Sequence, residues 1–478
     1  MDAIQIEALK QLVGEENCST SLADLYTYGS DASVHQSRPE IVIRPRCVEH
    51  VSKILAYANT HRIPVVPRGA GTGLSGNAVP VAGGIVLDMT MMDRILEINI
   101  RDLYVKVEPG VVNDVLNAEL EKLGFFFPPT PASGNVATIG GMIGNNASGM
   151  RAGKYGATRD AVLGLTVVLP TGEVIEVGAR TSLKMASGYH LEKLFVGSEG
   201  TLGVVVEATL KILPLPESRA IVLASFDNLE KAGECVANIM SSRLMPSAIE
   251  IIDNVCIRAV NKSMGIGLPD CEAILLIEAD GHPVAVKSEI KKLSAICKAT
   301  GAIKVDVATD PNRMAELWKG RKAVLPALSR LEGGLASMSL GDDMNVPLSK
   351  VPDTIRAFQE AAKKHNIVIG TYGHAGTGNL HTKVLFDPTS KSAWERARAA
   401  IDDVYNAVLN AGGICSGEHG VALSKAPYMK KERSDTLALM RAIKRTLDPN
   451  NILNPHKIMD APDDFLRATP LRYPLKGS

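Results

Sequence analysis

Three of the ten histidines and one glutamate stand where the chain turns at the ends of apolar runs. Ile367-Val368-Ile369-Gly370-Thr371-Tyr372 reads as a strand ending at Gly373-His374. A loop of small residues, Ala375 to Asn379, then leads to Leu380-His381 and a second strand-like run, Thr382–Phe386. A loop that doubles back can bring His374 and His381 together at the mouth of two adjacent strands. Gly417-Glu418-His419-Gly420 follows a further glycine-rich stretch, Gly412-Gly413-Ile414-Cys415-Ser416. Two imidazoles and a carboxylate suit a first-row divalent cation, and three protein ligands leave positions open for substrate. Two histidines seven apart are more often unrelated than paired; here all these residues fall in glycine-rich strand ends.

A second constellation suits a phosphate. The apolar run Ile63–Val66 leads into Pro67-Arg68-Gly69-Ala70-Gly71-Thr72-Gly73-Leu74-Ser75-Gly76-Asn77. Its four glycines leave backbone N–H groups bare and let the chain come close to a bulky anion, although an ordinary glycine-rich turn has the same composition. Gly71 to Gly76 spells Gly-x-Gly-x-x-Gly, but that fingerprint needs a helix opening at its third glycine to hold the pyrophosphate. Here Asn77-Ala78-Val79-Pro80 and then a strand-like Ile85–Met89 follow, so the Rossmann reading is set aside. The loop must hold a diphosphate with backbone alone, between two strands. A second glycine segment, Thr138 to Gly149, follows Pro128-Pro129-Thr130-Pro131. As bare composition it is a loop; beside the first it suits a long, extended cofactor.

Together these segments resemble the FAD-linked D-2-hydroxyacid dehydrogenases, a branch of the vanillyl-alcohol oxidase group of flavoproteins, over nearly the whole chain. The resemblance implies FAD bound at Pro67, Arg68, Gly69, Ala70, Gly71, Thr72, Gly73, Leu74 and Ser75 of the first loop. It adds Pro131, Thr138, Gly140, Gly141, Gly144, Asn145, Ser148, Gly149, Tyr155 and Gly156 of the second segment, Gly200 and Val204 of a third, and Asn454 near the carboxyl end. It implies His374, His381 and Glu418 as ligands of a divalent metal, zinc or manganese/iron, and His419 as general base. Arg321, three residues after Trp318, matches the family's carboxylate-binding arginine, although an arginine on an amphipathic helix is usually a solvated charge. The implied reaction oxidises a small D-2-hydroxy acid, D-lactate or glycolate, to the 2-oxo acid. The metal lowers the hydroxyl pKa, His419 takes its proton, and the Cα hydrogen passes as hydride to the flavin. Several relatives attach FAD through a histidine in these loops; none occurs here between Arg62 and Tyr189, so non-covalent FAD is expected. Two residues depart from the family: Thr377 stands where aspartate is common, and Lys383 where asparagine is usual. By strand alternation Lys383 shares a face with His381, where its ammonium opposes the metal, helps hold the carboxylate, or points to solvent.

The elements that must position these residues form an α+β chain of 478 residues, long enough for two or three domains. The resemblance implies a two-subdomain FAD-binding domain of the vanillyl-alcohol oxidase type over residues 1–216. In it one β-α-β unit, Ile41 to Val66, leads into the first loop, and strands Ile85–Met89, Ile95–Ile100 and Tyr104–Val107 and a helix from Val112 to Leu123 follow. From Ala220 a repeat begins: Ile221–Phe226, Leu229–Arg243 and Ile249–Ile252 are echoed by Ala273–Glu278, Val284–Thr300 and Ile303–Val307. That repeat predicts a ferredoxin-like antiparallel sheet in a substrate domain over 217–425. A helix over Met314–Leu331 and a strand-like Ala336–Asn345 belong to it. A C-terminal helical segment, 426–478, returns to the FAD domain and ends in a polar surface tail.

Apolar content of 45% and 52 basic against 52 acidic residues describe an ordinary globular protein with no global field for nucleic acid or an anionic membrane. Seven widely spaced cysteines without Cys-x-x-Cys argue against a disulfide framework, a zinc ribbon or an iron–sulfur cluster. No apolar run approaches eighteen residues and the amino terminus lacks a signal-peptide pattern, so a cytoplasmic protein without a transmembrane segment is expected. Reduced FAD then needs an external acceptor, and a protein partner is favoured: an electron-transferring flavoprotein or an iron–sulfur subunit. The competing readings are a non-catalytic flavin-binding relay subunit and another oxidase or synthase of the same fold. Such synthases carry a run of histidines where this chain has Glu418-His419.

Overall fold

In the computed structural model, which describes residues 1–331, 336–339 and 341–464, the chain divides into two compact units. The first holds Met1–Ser148, Gly156–Leu215 and the stretch from Glu418 on; the second holds Gly149–Tyr155 and Pro216–Gly417. The polar tail expected beyond residue 464 and the middle of the expected 336–345 strand lie outside the described residues.

The opening β-α-β unit of the first part forms because its apolar residues keep helical and strand periods in turn. Ile41–Ile43 is buried throughout, Val51, Ile54, Leu55 and Ala58 line one face of the helix Val48–His61, and Val65–Arg68 returns as a strand. Strands Ile41–Ile43 and Val65–Arg68 both pair in parallel with Ile85–Asp88, the central member of a small sheet. The connection from Val65–Arg68 to Ile85–Asp88 is residues 69–84 and contains no helix, which is the form the residues after Gly76 predict. A second sheet of five antiparallel strands runs in the order Ile95–Asn99, Tyr104–Val107, Val204–Lys211, Val162–Val168, Val174–Gly178. Its core is built from Val105, Val107, Leu165, Val167, Ala208 and Leu210, closed by the helices Asn113–Glu121 and Ile139–Asn145.

That last helix is a difference from the glycine-rich loop expected over Thr138–Gly149. Thr138 caps it, its side chain accepting from Gly141 N, and Ile139, Met142 and Ile143 bury one face. The i, i+3, i+4 spacing of those three residues overrides the low helix propensity of the helix's three glycines, Gly140, Gly141 and Gly144.

In the second unit the repeat folds as a ferredoxin-like sheet. Ser218–Phe226, Ala248–Asp253, Ala273–Gly281 and Lys304–Ala308 lie in the order fourth, first, third, second, all antiparallel. Helices Leu229–Ser241 and Pro283–Ala299 pack on each other and on the sheet. An additional helix, Asn254–Met264, packs with Pro311–Lys322 and Val324–Leu328 around Ile221, Leu223, Ile252, Ile274 and Leu276. The sheet then grows past the ferredoxin-like four: Ala248–Asp253 pairs with Val368–Gly373, which pairs with Asn379–Phe386, which pairs with Ala336–Met338. Tyr372 stands opposite His381 in this register. None of the seven cysteines is in a disulfide among the described residues.

Candidate active site

In the first unit the glycine segments meet. Gly69 lies so close to Thr138 that a Cβ there would come within 2.2 Å of the threonine Oγ1, so only glycine fits. Arg68 donates from Nη1 to Ser30 O at 2.7 Å, with its guanidinium over the Tyr28 ring, and burial lowers its pKa. Gly140, Gly141, Gly144 and Asn145 all lie on the Thr138-capped helix, Pro131 in the loop before it, and Val204 opens the strand Val204–Lys211.

The chain that carries Glu418 and His419 is built into this loop. Ser75 Oγ donates to Gly420 O at 3.0 Å, Ser75 O accepts from Leu423 N, and Asn145 Nδ2 donates to His419 O at 3.3 Å. Ser148 Oγ donates to Glu418 Oε2 at 2.7 Å, and Glu418 Oε1 lies 3.8 Å from His419 Nε2. The buried carboxylate of Glu199 ties the other side. It accepts from Asn77 Nδ2 at 2.6 Å, Val421 N at 2.7 Å and Ala422 N at 2.9 Å. Gly420 adopts φ 77°, and a Cβ there would meet Glu199 Oε1 at 2.8 Å, which accounts for the glycine of Glu-His-Gly.

Asn454 and Lys457 close the network from the carboxyl end. Asn454 Nδ2 donates to Asn77 O and Glu199 O, while Lys457 Nζ donates to Gly76 O at 2.5 Å and Asn77 O at 3.2 Å. Lys457 is 2% exposed, and burial pulls its pKa down to about 8 against the attraction of Asp31 and Glu199. Burial raises the pKa of both acids. It lowers His35, whose Nε2 lies 3.0 Å from Ser424 Oγ, to about 3, with the Lys457 charge adding to the shift. Asn77 Oδ1, Asn454 Oδ1 and Thr130 Oγ1 are buried and make no hydrogen bond within the protein. Orphaned acceptors and bare glycine backbone along these segments fit a polar, elongated cofactor such as FAD.

In the second unit the histidines are brought together as the doubled-back loop requires: the rings of His374 and His381 are 5.1 Å apart and edge to face. Each is oriented by a carboxylate through Nδ1, His374 by Glu250 Oε1 at 2.7 Å and His381 by Asp342 Oδ1 at 3.2 Å. A carboxylate on Nδ1 fixes the tautomer that makes Nε2 the basic nitrogen, the arrangement metal-binding histidines use. The donor set therefore fits a divalent cation. Asp343, with a carboxylate oxygen within 4.8 Å of a His381 ring nitrogen, accepts from Asn379 Nδ2 and Ser416 Oγ.

Arg321 is not a solvated charge. It is 3% exposed, its Nε donates to Glu250 Oε2 at 2.5 Å, and its guanidinium lies 4.8 Å above the Tyr372 ring. Its Nη2 is buried with no hydrogen-bond partner. Lys383 does not point to solvent: it is 0% exposed, paired with Asp342 and donating to Ser339 Oγ at 2.7 Å. It does share the His381 face, because both reach the same carboxylate. Gly149 and Tyr155 group with the second unit, where Tyr155 Oη donates to Asp280 Oδ2 at 2.9 Å and Lys154 and Arg151 pair with Asp280 and Glu278.

Sequence reasoning missed Glu199, Lys457, Glu250 and Asp342 as site residues. Glu250 left a signal, a lone carboxylate in the apolar run Ala248-Ile249-Glu250-Ile251-Ile252, whereas the contacts of Glu199 span more than 120 residues of sequence and leave none.

Two α+β units, one with paired glycine segments and one with a large antiparallel sheet, define a flavoprotein of the vanillyl-alcohol oxidase type. Residues 39–178 match the model of the FAD binding domain, and 215–458 match that of the FAD linked oxidases, C-terminal domain. The chain belongs to the FAD-linked oxidase family. It is 40% identical to the glycolate oxidase subunit GlcD of Bacillus subtilis (strain 168), over 95% of this chain and 96% of that one. It is 35% identical to a mitochondrial D-lactate dehydrogenase [cytochrome] of Arabidopsis thaliana, over 95% and 80% of the two chains. Among solved structures, the 4-ethylphenol oxidase of Gulosibacter chungangensis superposes with a TM-score of 0.80 at 19% identity, covering 96% of this chain and 97% of that one. Among the described residues no helix is long and apolar enough to cross a membrane.

Proposed function

We propose that the protein oxidises a small D-2-hydroxy acid, D-lactate or glycolate, to the corresponding 2-oxo acid and passes the electrons to a partner protein. The observation that carries this reading is Arg321: a buried guanidinium with an unpartnered Nη2, held beside a histidine pair whose tautomers are set by carboxylates. A small carboxylate with an adjacent hydroxyl matches that combination. The relatives named for glycolate and D-lactate support the same substrate class.

Arg321 binds the substrate carboxylate through its guanidinium fork. His374, His381 and Glu418 are the residues that would hold a divalent metal, zinc or manganese/iron, which supplies Lewis acidity at the 2-hydroxyl. His419 takes the hydroxyl proton. FAD, when bound, supplies the acceptor for the Cα hydrogen and its electron pair. Ser75, Asn145 and Glu199 hold the backbone at His419 and after it so that the imidazole keeps one position. Reoxidation falls to an electron-transferring flavoprotein or an iron–sulfur subunit, in keeping with relatives that are themselves named as subunits.

Stopped-flow reduction without oxygen tests the roles. His419→Ala is expected to slow flavin reduction about a hundredfold or more while FAD stays bound, the usual worth of a positioned base. Reduction at the parent rate would remove His419 from the chemistry, and a parent protein whose flavin no 2-hydroxy acid reduces but a reduced electron-transfer protein does would favour a relay role.

A further inference from the structure

Glu250, the carboxylate that orients His374, also reaches a second functional side chain of the same cluster. It lies in the strand Ala248–Asp253, is 0% exposed, and uses both oxygens on functional side chains. Oε2 accepts from Arg321 Nε at 2.5 Å, and Oε1 lies 2.7 Å from His374 Nδ1. The two partners arrive from different elements. Arg321 comes from the helix Pro311–Lys322, and His374 follows the strand Val368–Gly373, which is hydrogen-bonded to the strand of Glu250 through the Ile251–Gly373 pair. Tyr372, two residues before His374, carries the Arg321 guanidinium on its ring.

One carboxylate thus holds a helix-borne guanidinium and a strand-end imidazole at a set separation. We propose that Glu250 is a positioning residue that fixes Arg321 relative to His374, so that the site recognises a carboxylate and its neighbouring 2-oxygen as one two-point ligand. The inference rests on the substrate reading given above. Glu250 touches neither point of the ligand; it acts through the side chains that do. By occupying Nε it leaves Nη2 as the buried donor for the ligand carboxylate, and by occupying Nδ1 it leaves His374 to act through Nε2. Without it each partner could still be present, but the distance between the two recognition points would no longer be set.

The test uses two matched pairs of unreactive ligands on the oxidised holoenzyme: pyruvate against propionate, and glyoxylate against acetate. Each pair has the same charge and carbon skeleton and differs in oxygen at C2, a keto group in pyruvate and the carbonyl hydrate in aqueous glyoxylate. The parent is expected to bind the 2-oxo acid more tightly, and the ratio of dissociation constants, from calorimetry at millimolar ligand, measures the two-point advantage. Glu250→Gln keeps the shape but can accept only one of the two donors. Its ratio is expected to fall about tenfold, the worth of one charge-assisted hydrogen bond, while the plain carboxylate binds as well as before or better, because Arg321 has lost a competing anion. Glu250→Asp, which keeps the charge one methylene short, is expected to give an intermediate ratio.

A ratio unchanged in Glu250→Gln would overturn the positioning role. Equal weakening of both ligands would also overturn it, showing a general structural contribution instead. A parent ratio near one would remove the substrate reading underneath, which is a separate and recognisable failure. Should Glu250→Gln fail to fold, the same comparison on Glu250→Asp decides: an undiminished ratio there overturns the proposal.

Discussion

Glu199→Gln is the most informative change in the first unit, because Glu199 holds the backbone that follows His419. Its carboxylate accepts three hydrogen bonds, from Asn77 Nδ2, Val421 N and Ala422 N. Truncation to alanine would strand all three buried donors at about 1–3 kcal/mol each, a sum that approaches the whole stability of a typical domain. Glutamine is gentler. It relieves the burial of a charge, which is what raises the Glu199 pKa, and keeps one oxygen as acceptor. Its new amide group can donate to Asn77, whose Oδ1 has no partner in the present arrangement and becomes the acceptor if the Asn77 amide turns over. The loss then reduces to one backbone N–H, Val421 or Ala422, and a cost of about 1–3 kcal/mol. Function should suffer more than stability: a misplacement of about 1 Å at a reacting group can cost 10²-fold in rate. Stopped-flow reduction, with melting temperature and FAD content measured on the same preparation, is expected to show reduction slowed at least tenfold in a folded, FAD-replete variant. Parent-like reduction in that variant would refute the idea that Glu199 places His419.

Three further outcomes follow from the same structure. Acid precipitation is expected to leave a colourless pellet and a yellow supernatant, since no histidine lies between Arg62 and Tyr189 to bond the flavin; a yellow pellet would contradict this. His35, ordinarily near 6.5, is held down at about 3, so between those values the unfolded chain binds a proton that the folded chain does not. Stability should therefore fall as pH drops through that window, by up to about 1.4 kcal/mol per unit, and His35→Gln should flatten the slope of unfolding free energy against pH; an unchanged slope would place the effect elsewhere. Lys383→Met removes the ammonium from the buried Asp342 and is expected to cost about 3–5 kcal/mol. Zn²⁺ or Mn²⁺ should then raise the melting temperature of that variant more than that of the parent, and equal shifts would show that the lysine does not oppose the metal.

Much of the fold can be read from local pattern. The ferredoxin-like repeat is visible because each half keeps a strand-helix-strand period, and the non-helical glycine loop because Pro80 and the following strand leave no room for a helix. The pairing of His374 with His381 is equally local, since only a short loop of small residues separates their strands. What could not be read depends on partners far away in sequence. The burial of Arg321 is set by Glu250 and Tyr372, 71 and 51 residues distant, and helix periodicity alone gives it to solvent. Lys383 is buried because Asp342 waits for it on a different segment. Lys457 resembles a tail residue until the fold carries it to the carbonyls of Gly76 and Asn77, 381 and 380 residues earlier. The Thr138 helix was hidden by its glycines, whose propensity pointed the wrong way at a place where packing decides.

The proposed reaction takes hydride from the α-carbon of a D-2-hydroxy acid. Anaerobic titration of the purified FAD protein with D- and L-lactate, glycolate and D-2-hydroxyglutarate, following flavin absorbance and 2-oxo acid formed, tests it most directly. D-lactate or glycolate is expected to bleach the flavin with one 2-oxo acid released per flavin, and L-lactate is expected to leave it oxidised. A flavin that dithionite reduces but that none of these acids bleaches would contradict it.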